Sequence, residues 1–357
     1  MSKLIDEFCE TGYLTLTGRS GEGGLMKTDV IPMRNSSRSL RYTFAAYQAS
    51  LVEEYRHLMP TYLQMGISGY IEDLHSPDGF NADSTLATGI LLCSVSLSAL
   101  YTWTPLIRGL HAVLQQRELL STAQGSPLTD QFIEVIGLLD VQHFTLNRFS
   151  ESLRIWSTCV APRGLTGVQE TSGLPYSLLN LICELDLPGS EEKLHSWPGE
   201  PCQELIQVHL WEAFRSAAIL HCRVIQSRKD TTPHREAMNI ASPCMTNDDL
   251  LRLKVLAACQ AIMSPRKESF PDVQPLGAAL LYPLFIVGLF TEEDTVARGA
   301  TKDLFSFLTK NWESYQNTLV WEIVTQVWER STTRPDTCRL KLAEEFAAEL
   351  NIEIYLY

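Results

Sequence analysis

Apolar residues recur at intervals of three and four along most of the chain, the spacing that gathers them on one face of an α-helix. The first clear stripe, Leu40, Phe44, Tyr47, Leu51 and Tyr55, predicts a helix over residues 37–57, with Ser36-Ser37 placed to cap its start. A second helix is expected after Pro60, carrying Tyr62, Met65, Tyr70 and Leu74 and stopping at the turn Ser76-Pro77-Asp78-Gly79. Buried helices follow over 81–101 and 104–119. The clearest amphipathic period lies at 127–149, through Leu128, Phe132, Val135, Ile136, Leu139, His143 and Leu146.

Proline and glycine then cluster at 158–175 and 188–201, which read as irregular inserts on either side of a short helix at 176–187. Further helices are expected at 204–226, 247–263, 273–290, 294–312 and 316–330, with a last one at 335–350. Alternation with period two is confined to the tail Ile352-Glu353-Ile354-Tyr355-Leu356-Tyr357, for which no partner strand is evident. Helix and loop lengths vary too much for a regular solenoid. The pattern predicts an all-α fold, an irregular bundle of packed helix hairpins in a single large domain over 36–357. A flexible segment is expected before it at 1–35, where Gly18, Gly21, Gly23 and Gly24 cluster.

Composition sharpens this picture in two respects. Of 357 residues, 45% are hydrophobic and 20% charged, which excludes disorder as the main state. Lys and Arg number 29 against 42 Asp and Glu, a formal net charge of −13. Such a chain cannot hold nucleic acid through diffuse charge, because neutralising phosphates needs a basic face. Its densest basic pairs are Arg228-Lys229 and Arg266-Lys267. The uncharged runs at 87–105 and 276–290 fall short of the roughly 20 apolar residues of a spanning helix. Thr88, Ser94, Ser96, Ser98 and Thr102 dilute the first, and Pro283 interrupts the second; both read as buried helices, and no membrane is expected as a partner. Acids stand in Met1-Ser2-Lys3-Leu4-Ile5-Asp6-Glu7 where a secretory signal would be apolar. The nine cysteines are odd in number, widely spaced and without a Cys-x-x-Cys pair, which argues for a reducing compartment and against a disulfide framework or a zinc ribbon.

Enzyme signatures are mostly absent. The run Gly18-Arg19-Ser20-Gly21-Glu22-Gly23-Gly24 lacks the strand before it and the helix after it that a phosphate cradle needs. Gly66-Ile67-Ser68-Gly69 lacks the spacing of a nucleophile elbow. His209 and His221 stand more than three helical turns apart. The acids Asp248-Asp249 and Glu292-Glu293-Asp294 begin expected helices, where they complement the macrodipole rather than gather magnesium. No catalytic residue, metal ligand or cofactor is assigned. Trp103, Trp156, Trp211, Trp312, Trp321 and Trp328 read as packing residues, with an aromatic-lined ligand pocket as the alternative.

Whole segments say more. Leu281-Tyr282-Pro283-Leu284-Phe285-Ile286-Val287-Gly288-Leu289, then Arg298, then a helix ending in Val327-Trp328, resembles a motif of the fungus-specific transcription factor domain. That family is the regulatory region of zinc-cluster transcription factors. Leu86 to Leu100 and Thr104 to Leu114 resemble its upstream helices, and Phe132 to Asp140 and Leu178 to Leu187 stand where it has matching ones. The motif residues here are Pro283, Leu284, Phe285, Gly288, Arg298 and Trp328. Physically, Pro283 would kink its helix, Gly288 would allow close helix packing, and Arg298 would pair with a carboxylate or cap a helix C-terminus.

The resemblance implies a nuclear transcriptional regulator or accessory co-regulator of fungal genes, a metabolic gene cluster among the candidates, and not an enzyme. It implies a protein partner, either a DNA-binding regulator or the transcription machinery, and leaves room for a small-molecule ligand and a homodimer. The family usually reads DNA through an N-terminal six-cysteine zinc cluster, but the first 92 residues here hold only Cys9. Direct nucleic-acid binding by this chain is therefore not expected. A zinc cluster encoded upstream, making a conventional activator, is the alternative; an enzyme on the same helical scaffold is a third reading.

Overall fold

Ser37 accepts a hydrogen bond from the Leu40 amide at 3.2 Å and so starts the first long helix, as its position before the apolar stripe predicts. The computed structural model describes residues 1–16, 24–120, 126–202, 204–229, 247–263, 279–291, 296–311 and 315–357. It is all-α, built from packed helix hairpins, as the periodicity predicts. Contacts divide the chain into two compact units: Met1–Leu165 with Ile352–Tyr355, and Thr166–Asn351 with Leu356–Tyr357.

The first unit contains α1 (Ser2–Glu10), α2 (Arg38–Leu51), α3 (Met59–His75), α4 (Pro77–Asn81), α5 (Asp83–Ser98), α6 (Thr104–Gln116) and α7 (Pro127–Leu139). Helices α2 and α3 form a hairpin whose seam is the Gly66/Gly69 pair. A methyl group on Gly66 would sit 2.8 Å from Thr43 Oγ1, and one on Gly69 3.2 Å from the Ser39 Cα. The glycines that fail as a nucleophile elbow thus let two backbones approach. Helix α5 is buried without interruption from Thr85 to Cys93, which explains its uncharged run. Among the described residues no helix is long and apolar enough to cross a membrane.

Three expectations need correction in this unit. Residues 1–35 are not a loop-like segment where they are described: α1 buries Leu4, Ile5 and Phe8, and Phe8 stacks on Phe44 with ring centroids 4.2 Å apart. A further turn of helix at Met26–Val30 leads into Ile31–Asn35. The apolar spacing in α1 is helical but short, and the glycines after it masked it; Gly18, Gly21 and Gly23 themselves lie outside the described residues.

The helix expected to reach residue 149 ends at Leu139 instead. The buried Asp140 carboxylate explains the stop. It accepts from Arg148 Nη2 at 2.7 Å, Ser152 Oγ at 3.0 Å, and the amides of Leu153 at 3.2 Å and Ile155 at 3.1 Å. That satisfied carboxylate organises the following loop rather than another helical turn.

The C-terminal tail does have a partner strand: β1 (Thr145–Leu146) pairs antiparallel with β2 (Ile354–Tyr355), Thr145 opposite Tyr355. Between these two tail residues and the helices, Glu353 turns inward. It accepts from the Trp103 amide at 2.9 Å, the Thr104 amide at 3.1 Å, the Phe149 amide at 2.6 Å, and the Thr104 hydroxyl. A carboxylate at the first turn of α6 satisfies orphan N–H groups and complements the helix dipole.

The second unit contains α8 (Tyr176–Ile182), α9 (Ser190–Ser196), α10 (Leu205–Lys229), α11 (Asp248–Met263), α12 (Leu281–Phe290), α13 (Val296–Asn311), α14 (Tyr315–Thr333) and α15 (Arg339–Glu349). Helices α10 and α11 form one hairpin, α14 and α15 another. The insert expected to be irregular at 188–201 contains α9, whose buried Glu191 accepts from Arg223 Nε at 2.8 Å and Nη2 at 2.6 Å. Proline and glycine at both ends of that short helix hid it. Glu292-Glu293-Asp294, Trp312, Arg266-Lys267 and the start of the helix expected at 273–290 lie outside the described residues.

Candidate functional site

Helix α12 is an apolar decapeptide buried from Leu281 through Leu289, so it can lie only among other helices. Pro283 is its third residue, in the first turn, where an amide would have no intrahelical acceptor. No bond of α12 itself is lost at Pro283; the stretch 273–278 of the longer helix expected to be kinked there lies outside the described residues. Leu284 and Phe285 are both fully buried. Tyr282, also buried, lies with its hydroxyl 3.2 Å from His221 Nδ1, and burial holds its phenol far above the ordinary tyrosine range.

The C-terminus of α12 is the more informative end. A helix leaves its last carbonyls without partners, and inside a protein each must find a donor. Thr291 stops the helix with extended backbone, and its hydroxyl donates to the Gly288 carbonyl at 2.8 Å. The Trp328 indole N–H donates to the same carbonyl at 2.8 Å. Arg339 Nη1 donates to Leu289 O and Thr291 O, each at 2.9 Å, and Arg252 donates to Phe290 O.

Gly288 is the point of closest approach. A methyl group there would lie 3.0 Å from Val324 Cγ1 on α14 and 3.6 Å from Thr301 Cγ2 on α13. The close packing expected at this glycine is what the geometry shows. Arg298, from α13, lies with its guanidinium carbon 4.2 Å from the Trp328 ring centroid, within cation–π range. The indole also makes an edge-on pair with Trp321, centroids 5.3 Å apart. Arg339 and Arg252 both donate to carbonyls at the C-terminus of this helix.

Beside this cluster lies an open depression of about 170 Å³, lined by Thr291, Arg298, Trp328, Ser331, Thr332 and Arg339. Two guanidinium groups face it, and none of its described lining residues carries a carboxylate. The hydroxyls of the lining are already used as donors. Ser331 Oγ gives its proton to Val327 O at 2.6 Å, and Thr332 Oγ1 to Glu329 O at 2.7 Å. Like the Thr291 hydroxyl, they thus donate within the protein and keep lone pairs as acceptors.

The structure thus brings Gly288, Arg298 and Trp328 together, while Pro283, Leu284 and Phe285 occupy the buried helix behind them. Sequence reasoning missed Thr291, Ser331, Thr332 and Arg339. Arg339 is the first residue of α15, where a cation is disfavoured by that helix's own dipole, and its reach to α12 offsets that cost. The other residues singled out by sequence do not join the cluster's described lining. His209 and His221 lie on α10, and Asp248 and Asp249, in the first turn of α11, pair with Arg223 and Arg252. Among the described residues no three His, Cys, Asp or Glu side chains are placed to share a metal ion.

Comparison of the chain with protein-family models, with curated proteins and with solved structures finds no match.

Proposed function

We propose that this chain is a nuclear transcriptional regulator of the fungal type its sequence resembles, acting through a protein partner or a small-molecule ligand rather than by holding DNA itself. The observation that carries this reading is the meeting of Gly288, Arg298 and Trp328, far apart in sequence, around one helix end. Those residues are the core of the resemblance, and their convergence on one helix end supports reading them as a unit. The net charge of −13 supports a partner-mediated role, since it repels a polyanion.

The test is a mobility-shift assay with promoter fragments at physiological salt, using the pure chain and then the chain with fungal nuclear extract. The expected result is no sequence-selective shift from the pure chain and a shift in extract that depends on its presence. A salt-resistant, sequence-selective shift by the pure chain overturns the reading.

A further inference from the structure

Resting on that regulatory reading, we propose that the outward face of α3 docks an amphipathic helical segment of the partner protein, one that carries an apolar stripe with Lys or Arg at both ends. A surface helix ordinarily turns charged side chains to water. Helix α3 holds no charged residue from Met59 through Ile71. Its inner face is committed: Leu63 and Tyr70 are buried, and Gly66 and Gly69 close on Thr43 and Ser39 of α2. Outward stand Pro60, Ile67 and Ile71 in one line, at spacings of seven and four, with the uncharged Gln64 and Ser68 beside them. Ile71 is 49% exposed and Ile67 38%, one turn apart, and Met65 at the far edge of the same face is 37% exposed. Grouped apolar surface of this kind, unlike single scattered residues, marks a place of contact.

The charges at the two ends of the face select the partner. Glu53 and Glu54 stand before the uncharged stretch, and Glu72, Asp73 and Asp78 after it. Over residues 53–78 the one guanidinium group is that of Arg56, which is already paired with Glu53. Arg38 and Arg41 on the neighbouring α2 leave the balance negative, and His57 and His75 add charge only when protonated. A second copy of this chain would set acids against acids at both ends, whichever way the two helices ran. An anionic membrane surface would be repelled in the same way. A segment with Lys or Arg before and after its apolar run meets opposite charge at both ends. Its apolar residues at i, i+3, i+4 and i+7 then bury against Pro60, Ile67 and Ile71.

The experiment is fluorescence anisotropy on the full chain with three labelled peptides, at neutral pH and physiological ionic strength, where the Debye length is about 8 Å and diffuse attraction is screened. One peptide has leucines at i, i+3, i+4 and i+7 between lysines at both ends. A twin has glutamates in place of the lysines, and a third has the residues of the first reordered so that no face is apolar. The lysine-ended helix should bind saturably, and the other two at least about tenfold more weakly. Two double variants locate the surface. Ile67→Ser with Ile71→Ser, both at exposed positions, should weaken the lysine-ended peptide by about tenfold or more through the lost apolar contact. Glu54→Lys with Glu72→Lys should reverse the preference between the lysine-ended and glutamate-ended peptides, and carries the test if the serine pair does not fold. No binding of the lysine-ended peptide, equal binding of its glutamate-ended twin, or binding that survives both double variants overturns the proposal. So does a dimer of the unliganded chain, seen by analytical ultracentrifugation, that the serine pair dissociates, since a second copy would then cover this face. A nuclear-extract shift without peptide binding, unchanged by the serine pair, removes this surface and leaves the regulatory reading. Peptide binding without any shift leaves the surface and removes that reading.

Discussion

The indole N–H of Trp328 donates to the main-chain carbonyl of Gly288 at 2.8 Å, so one side chain closes a helix end that lies forty residues earlier in the chain. The two residues depend on each other sterically as well. Without a side chain at 288, α14 comes close enough for the indole to reach; with one, Val324 stands in the way.

Substitution of Gly288 by Ala therefore sets two effects against each other. Alanine gains up to about 1 kcal/mol of intrinsic helix preference. Its methyl group would meet Val324 Cγ1 at 3.0 Å and Cγ2 at 3.3 Å inside a closed core, where overpacking costs about 1–3 kcal/mol. The net expectation is a lower urea midpoint. In a Val324→Ala background the clash is gone, so Gly288→Ala should then raise the midpoint. The same sign in both backgrounds would show that the glycine is not there for packing.

Trp328→Phe keeps the ring under Arg298 and removes the N–H. Thr291 Oγ1 still donates to Gly288 O at 2.8 Å, so the carbonyl is not orphaned. The expected loss by denaturant titration is the net worth of one hydrogen bond, about 0.5–1.5 kcal/mol, plus roughly 1 kcal/mol for the packing lost with part of a buried ring, and not the larger penalty of an unpaired buried group. A loss well above that range would mean that the indole does more than close this helix.

Much of this fold was legible because helices announce themselves locally. The stripes on α2 and α7, and the uncharged runs of α5 and α12, each carry their own periodicity or apolar content within one segment. What escaped reading depends on partners distant in sequence. The stop after Leu139 follows from Asp140 binding amides up to Ile155, and the tail strand pairs with Thr145–Leu146. Glu353 caps a helix that begins at Thr104. A carboxylate in an alternating tail reads as the solvent side of a strand, and nothing local tells that it is buried. The same holds for the candidate site: Gly288, Arg298 and Trp328 could be named from the motif, but the caps from Arg339 and Arg252 needed the structure.

Glu353 also gives a sharp test of hydrogen-bond direction. Its Oε2 accepts from the Trp103 and Thr104 amides, and its Oε1 from the Phe149 amide and the Thr104 hydroxyl. Both oxygens therefore face backbone N–H groups that cannot turn away. Glu353→Gln puts an amino group against one set or the other whichever way the amide flips. We expect it to cost about 2–3 kcal/mol, and Glu353→Ala at least as much, because three amides, two of them buried, lose their acceptor. Thermal unfolding followed by circular dichroism is the measurement, and a Gln variant as stable as the parent would refute this account of the cap.

The last expectation concerns the cysteines. Cys259 is fully buried on α11, and desolvation raises its thiol from the ordinary value of 9.0 to about 12; Cys222 is raised to about 11, and burial moves Cys93 in the same direction. Cys202 is exposed. At pH 8, therefore, an alkylating reagent should modify Cys202 while Cys93 and Cys259 stay unmodified until the chain unfolds, as peptide mapping by mass spectrometry would show. The same burial makes stability depend on pH. In the unfolded chain these thiols lose their protons near pH 9, whereas in the folded chain they keep them. Above pH 9 the unfolded state binds fewer protons, so stability falls as pH rises. The contribution is fully present below 9 and gone above the folded values. For Cys259 the slope is about 1.4 kcal/mol per pH unit across this window. Buried Tyr47, raised from 10.0 to about 12, adds its own loss only above pH 10. Urea midpoints should hold steady from pH 7 to 8.5 and then decline between 9 and 10, before the tyrosines contribute. Cys259→Ala should flatten that decline, and a parent chain whose midpoint is unchanged up to pH 10 would show that these thiols are not held in the protonated form by burial.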